Sequence, residues 1–216
     1  MMATSATMTK LDLSARLARL LPAAREPAPW PSSSAAEQAL VRGLCSADPA
    51  AVDELYRAHH AMLRAFAQRL LGDESAAEDL VHDVFVQVPR LMRKFRGQSS
   101  VRSFLVGVAA NLASRHLRSA RRKRAALARF AAEGGQAPGL EREHAARQRL
   151  HAVYRALDAL SLEQRTAFVL CEIEERSAQE VAELLGIPES TVRTRCFHAR
   201  RKLAKTLAKL GAEGRP

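Results

Sequence analysis

One helix-start signature recurs along this chain. Ser75 is followed three residues later by Glu78, Ser161 by Gln164, and Ser177 by Glu180. In such a capping box the hydroxyl accepts from the third helical N–H, and the acid or amide reaches back to the serine N–H. Each pair stands at the head of a segment with apolar residues at helical spacing. Leu55, Met62, Leu63, Phe66, Leu70 and Leu71 form one such stripe, and Gly72 ends it. Ala77, Leu80, Val81, Val84, Phe85 and Val88 form the next. Pro89 falls late in that pattern and is expected to kink or end the helix. No stretch alternates apolar and polar residues as a half-buried strand would. Aromatics make up only 5% of the chain, and Ala and Leu dominate its apolar set, which favours helices over sheets. The expectation is an all-α fold.

Composition breaks the chain into parts. Residues 1–36 read as a disordered extension, because PAAREPAPWPSSS stops any helix with its prolines. Helical periodicity runs over 37–125. AAEGGQAPG, within 126–148, reads as a flexible linker, and helical pattern resumes over 149–210. The predicted architecture is two small helical domains on a tether.

Charge narrows the partner. The 216 residues carry a formal net charge of +11, which points to a polyanion: nucleic acid first, a membrane surface second. Much of the positive charge lies in RHLRSARRKR and near the end of the chain. No apolar run approaches the about 20 residues of a membrane span, and the N-terminal segment lacks the apolar core of a secretory signal. Cys45, Cys171 and Cys196 form no CxxC pair and are odd in number, so a reducing, cytoplasmic setting is expected.

SAQEVAELLGIPESTVRTRCFHARRKL, from Ser177 to Leu203, reads as helix, turn, helix. Val181, Leu184 and Leu185 supply an apolar face. Gly186 permits a sharp turn, and Pro188 suits the next helix start. On the second helix Val192, Cys196, Ala199 and Leu203 share one face. Ser190, Arg193, Thr194, Phe197, His198 and Arg201 present the other, as a recognition helix entering a major groove requires. The alternative is an amphipathic hairpin with a solvated charged face.

Enzymatic chemistry has little footing. His59 and His60 are adjacent, as are His82 and Asp83, and Cys196 and His198 lie two apart. Each pair diverges across its helix, so no metal-ligand set forms. P-loop, GxSxG and dinucleotide-turn motifs are missing from the sequence. Neither an enzyme nor a cofactor is expected.

AEDLVHDVFVQV, FRGQSSVRSFL and ANLASRHLR resemble region 2 of the extracytoplasmic-function (ECF) sigma factors, and LSLEQRTAFVLCEIEERSAQEVAELLGIPESTVRTRCFHARRKL resembles their region 4. Together these matches span about 48–124 and 156–207. The resemblance implies a factor that binds core RNA polymerase and directs it to promoters. It assigns Glu78, Asp79, Val81, His82, Asp83 and Phe85 to docking on the β′ clamp helices, and region 4 to the β flap as well. An acidic cluster in so basic a chain agrees with a protein partner. Leu80, Val81, Val84 and Phe85 make a broad apolar face, part of which is expected to stay open for that partner. The resemblance assigns Gln98, Ser99, Ser100, Arg102, Asn111, Arg115, His116 and Arg118 to the −10 promoter element, where small polar groups hold a flipped base. It assigns Ser190, Thr191, Arg193, Thr194, His198 and Arg201 to the −35 element. An anti-sigma factor is a further implied partner. Two departures stand out. Pro89 and Phe104 occupy positions where the family often has tryptophan, and Gly107 and Ala110 replace arginines common on the −10-reading helix. The rival reading is a stand-alone helix-turn-helix regulator, dimeric on a palindrome. The acidic segment and the two separate DNA-reading regions argue against it.

Overall fold

The computed structural model describes residues 35–46, 48–93, 100–132, 150 and 152–213. All regular structure among them is helical. Helix α1 spans Ala35–Cys45 and α2 spans Pro49–Leu71. The Asp48 carboxylate caps α2 by accepting from Ala50 N at 3.0 Å, and Pro49 fills the first turn, where no N–H is needed. Gly72 closes α2 with φ +72°, the left-handed conformation that a C-terminal cap calls for.

Helix α3 spans Glu74–Met92, and its start corrects the sequence expectation. Asp73, rather than Ser75, is the cap, accepting from Ala76 N at 2.9 Å. Its charged carboxylate outcompetes a hydroxyl at this positive helix end, and Glu78 reaches across to Arg64 of α2 instead of back to Ser75. Pro89 does not end the helix, which continues to Met92. Helix α4, Val101–Ala132, begins at Ser100, whose hydroxyl accepts from Ser103 N at 3.1 Å. It carries residues 126–132 of the expected linker; the rest of that linker, and residues 1–34, lie outside the described residues.

Helices α2, α3 and α4 pack around Leu63, Phe66, Leu70, Leu80, Val84, Val88, Leu105, Ala109 and Ala113, all buried. A second helical group follows. It comprises α5 (152–158), α6 (Leu162–Phe168), a π-helical turn over Val169–Ile173, α7 (Ala178–Leu185) and α8 (Glu189–Glu213). Here the two remaining capping boxes form as the sequence predicts. Ser161 Oγ accepts from Gln164 N at 3.2 Å, and Ser177 Oγ accepts from Glu180 N at 3.2 Å. Phe168, Val181, Val192, Cys196, Ala199 and Leu203 fill this core.

The two groups touch. Tyr154 of α5 donates its hydroxyl to Gln68 O at 3.1 Å. Arg124 of α4 donates to Leu71 O at 2.7 Å and to Asp158 at 2.6 and 2.9 Å. Asp158 also accepts from Arg165 at 2.8 Å and from Arg121 at 3.3 Å. Arg165 is fully buried, and burial pushes its guanidinium pKa down to about 10 although Asp158 opposes the shift. Its charge holds Asp158 as an obligatory partner.

Candidate nucleic-acid and partner interfaces

The outer face of α3 is acidic at its beginning. Asp79 and His82 are exposed. Glu78 is half-exposed, ion-paired with Arg64 and 3.5 Å from His60. Two residues assigned to partner docking prove to be core: Val81 is 1% and Phe85 8% exposed. The broad apolar face is buried throughout, because α2 and α4 flank α3 on both sides. The apolar groups left open in this part of the fold are instead Val86 of α3, 64% exposed, and Tyr56 of α2, 44% exposed. Tyr56 reaches the core through Phe85, the two ring centroids 4.9 Å apart. Val86 lies outside the buried stripe, so helical spacing gives the signal that finds it.

Asp83 faces a different way. It is half-buried, accepts from Arg115, and lies 2.9 Å from His116 Nε2. It thus joins α3 to α4 rather than facing solvent. The open cleft above it is lined by Asp79, His82, Arg115 and Arg122.

The residues assigned to the −10 element divide five ways. Gln98 and Ser99 lie outside the described residues. Ser100 caps α4. Asn111, Arg115 and Arg118 are exposed. His116 is 6% exposed, packed against Asp83, and so is not a surface group. Arg102 is turned toward the second helical group. Burial lowers its pKa, with Glu174 opposing the shift and Arg69 adding to it.

The basic stretch is less available than its sequence implies. Arg121 and Arg124 serve Asp158, and Lys123 pairs with Asp73 at 2.7 Å. Arg118 and Arg122 remain on the surface.

The helix-turn-helix forms as expected. Glu180 accepts from Ser177 N at 2.8 Å, and that bond with the Ser177 hydroxyl holds its carboxyl below the usual range. Gly186 turns the chain with φ +65°, and Ile187 N closes onto Ala182 O at 3.1 Å. On α8, Val192, Cys196, Ala199 and Leu203 are buried. Ser190, Arg193, Thr194, His198 and Arg201 are exposed, and Thr191 is half-buried. Phe197, 57% exposed, stands in the same face, edge-on to His198. Glu189 accepts from Arg193 Nε at 2.9 Å and so steers that guanidinium along the helix. Arg200 ties α8 to the π turn through Glu172 at 3.0 Å. Cys171 and Cys196 meet behind α8, and the hydrogen bond between them, with burial, pushes the Cys171 thiol up.

No cluster of metal-ligating side chains occurs among the described residues. No described helix is long and apolar enough to cross a membrane.

Comparison with known proteins agrees with this layout. The family model for sigma-70 region 2 matches residues 55–123, and that for sigma-70 region 4 matches 150–203. The ECF RNA polymerase sigma factor SigM of Mycobacterium tuberculosis is 31% identical over 163 residues, which cover 76% of this chain and 80% of that protein. The RNA polymerase sigma-H factor of Pseudomonas aeruginosa is 30% identical over 186 residues, covering 81% and 95%. Among solved structures, CnrH in complex with the cytosolic domain of CnrY shares the fold. Its TM-score is 0.56 at 24% identity, covering 81% of this chain and 98% of that one. With a region 2 helical group, a region 4 helix-turn-helix and relatives matched along most of their length, the chain belongs to the ECF sigma factors of the sigma-70 family, which direct RNA polymerase to promoters.

Proposed function

We propose that this sigma factor docks on core RNA polymerase through the outer face of α3 and reads its promoter with α4 and α8. The observation that carries the reading is the separation of charge. In a chain of net charge +11, Asp79 and the half-exposed Glu78 share the α3 surface with Val86, and Tyr56 of α2 packs against Phe85 of α3. Such a surface repels DNA but suits a protein partner that is basic and partly apolar. The exposed side of α8 is basic and polar, free of the core, and shaped for a major groove.

The residues take roles by exposure. Asp79, His82, Val86 and Tyr56 form the docking patch, with Glu78 at its edge. Asn111, Arg115 and Arg118 follow the DNA near the −10 element, together with Gln98 and Ser99. Ser190, Arg193, Thr194 and His198 face the bases of the −35 element, and Arg201 holds phosphate. The chain performs no catalysis; the polymerase makes the RNA. Its place of action is the cytoplasm, at the nucleoid. CnrH forms a complex with the cytosolic domain of CnrY, and for this chain we extend the reading to a protein partner, an anti-sigma factor gripping regions 2 and 4.

Run-off transcription with the core enzyme of its own species, over a genomic promoter library, tests the reading. Transcripts starting at a defined set of promoters, only when this chain is added, are expected. Sequence-specific binding to symmetric sites without polymerase, and no promoter-dependent start with it, would transfer the chain to stand-alone regulators.

A further inference from the structure

Helix α4 continues past the point where its packing stops. Arg124, which donates to Leu71 O and to Asp158, is its last buried residue among those described. Every residue from Ala125 to Phe130 is exposed, yet the helix runs on to Ala132. Alanine supplies the reason. Ala125, Ala126 and Ala128 lose no side-chain entropy in a helix, and extending a helix that already exists needs no new nucleus. The end of α4 is therefore a rod held by its own backbone.

The helix carries no acidic residue along its 32 positions. Several of its cations have partners elsewhere in the fold: Arg115 pairs with Asp83, Lys123 with Asp73, and Arg121 and Arg124 with Asp158. Arg118, Arg122 and Arg129 are exposed, and no carboxylate among the described residues pairs with them. Asn111, Arg115, Arg118, Arg122 and Arg129 follow one another at steps of four, three, four and seven residues, so they share one face of the helix. Leu127 lies on the opposite side, in line with Ala113, Leu117, Ala120 and Arg124, all buried. Between Asn111 and Arg129 the basic stripe holds no large apolar side chain.

The first three residues of the stripe already belong to the −10 face. Gln98 and Ser99, assigned to the flipped base, precede α4, so DNA that is still paired lies toward the other end of the helix. From Arg118 to Arg129 the helix rises about 16 Å at 1.5 Å per residue, roughly five base pairs of duplex at 3.4 Å each. From this continuity of face and charge we infer that the rod lies along the paired DNA upstream of the −10 element, with Arg122 and Arg129 on its phosphates. The inference rests on the assignment of α4 to the −10 element. A guanidinium offers donors only and pairs with phosphate in bidentate fashion, and such contacts fix register without reading sequence. A protein partner would centre on apolar groups with charge depleted, which is the reverse of this stripe.

Salt dependence provides the test. The full chain, Arg122→Gln, Arg129→Gln and the double variant are each assembled with core enzyme, and binding to duplex promoter DNA is measured over a range of salt concentrations. Glutamine keeps the helix propensity and removes the charge. Each single variant should lower the slope of log K against log salt by about 1, and the double variant by about 2, with the promoter preference unchanged. Uncharged methylphosphonate linkages, placed within about five base pairs upstream of the −10 element, should lower the wild-type slope and affect the double variant much less. An unchanged slope in the double variant overturns the inference. Weaker binding of that variant to core enzyme without DNA also overturns it, and gives the stripe to an acidic face of polymerase. So does an altered preference at one base position, which would make the rod a base reader. Wild-type holoenzyme that starts at no defined promoter removes the assignment on which the rod rests, whatever the slopes; unchanged slopes beside normal wild-type starts remove the rod alone.

Discussion

The ring of Tyr154 occupies the space that a β-carbon on Gly72 would need. Gly72 sits at φ +72° where α2 ends, and a β-carbon built there would fall inside van der Waals contact of the Tyr154 ring. The glycine therefore answers two demands at once: a left-handed cap and the seat of a residue 82 positions away by numbering. Gly72→Ala is expected to destabilise the chain by about 2 kcal/mol or more, through strain at positive φ and through displacement of Tyr154. Denaturant unfolding measures it. A change below about 0.5 kcal/mol would mean that Tyr154 does not pack there.

Asp158 is the common acceptor of Arg121, Arg124 and Arg165. Asp158→Asn leaves the fully buried Arg165 without its counter-charge. The loss is expected to be about 3 kcal/mol or more, as when one member of a buried pair is removed. Replacing Arg121, whose side chain is 32% exposed, should cost under about 1 kcal/mol. Thermal melts of both variants decide, and equal losses would contradict the central place of Asp158.

Acid should loosen the helix starts first. Lys123 and the Ala76 N–H lower the Asp73 pKa against the opposing push of burial; Ser161 lowers that of Glu163, and Ser177 that of Glu180. Depressed carboxyl pKa values contribute stability that is complete above the unfolded values of 3.8 for Asp73 and 4.5 for the two glutamates. That stability is lost as pH falls through the lower folded values. Helicity followed by circular dichroism should hold from pH 7 to about 5 and decline below 4. In Glu180→Gln the decline should shrink, because its cap no longer titrates.

Polymerase docking should respond to Asp79 and much less cleanly to Asp83. Asp79→Lys reverses an exposed charge and is expected to weaken core binding on the order of tenfold while leaving the melting temperature unchanged. Asp83→Lys removes the partner of Arg115 and His116, so it should lower stability as well. Core affinity by fluorescence anisotropy, read beside thermal melts, separates the two. Unchanged affinity in Asp79→Lys would return that face to solvent.

On α8, base and phosphate contacts fail differently. Arg193→Ala should blur one position of the −35 preference, a loss of about 1–3 kcal/mol at that position. Arg201→Ala should lower use of every promoter alike and flatten the salt dependence. Glu189→Gln frees the Arg193 guanidinium from its carboxylate and should soften the same position as Arg193→Ala. An unchanged promoter preference in Arg193→Ala would put another face of α8 in the groove.

Local chemistry was legible in the sequence. The boxes at Ser161 and Ser177, the caps Gly72 and Gly186, and the buried face of α8 all depend on neighbours within a few residues, where spacing alone decides which groups meet. The all-helical class follows from the same short-range rules, and so does the exposed polar face of α8. Asp73 displaced Ser75 as a cap because two good candidates stood close together and the charged one won.

What depended on distant partners waited for the tertiary structure. Val81 and His116 lie on surfaces that helical spacing leaves undecided; packing between α2 and α4 buried the first, and Asp83 claimed the second. Arg121, Arg124 and Lys123 belong to a stretch that reads as DNA-binding, yet Asp158 and Asp73 hold them. A net charge counts cations without saying which are neutralised, because pairing is set by residues that come together only when α4 meets α5 and the start of α3. The same limit hid the contact of α7, through Leu184, with Gly107. A glycine inside a helix announces only the lack of a side chain, and the helix that fills its place is decided by how the two regions pack.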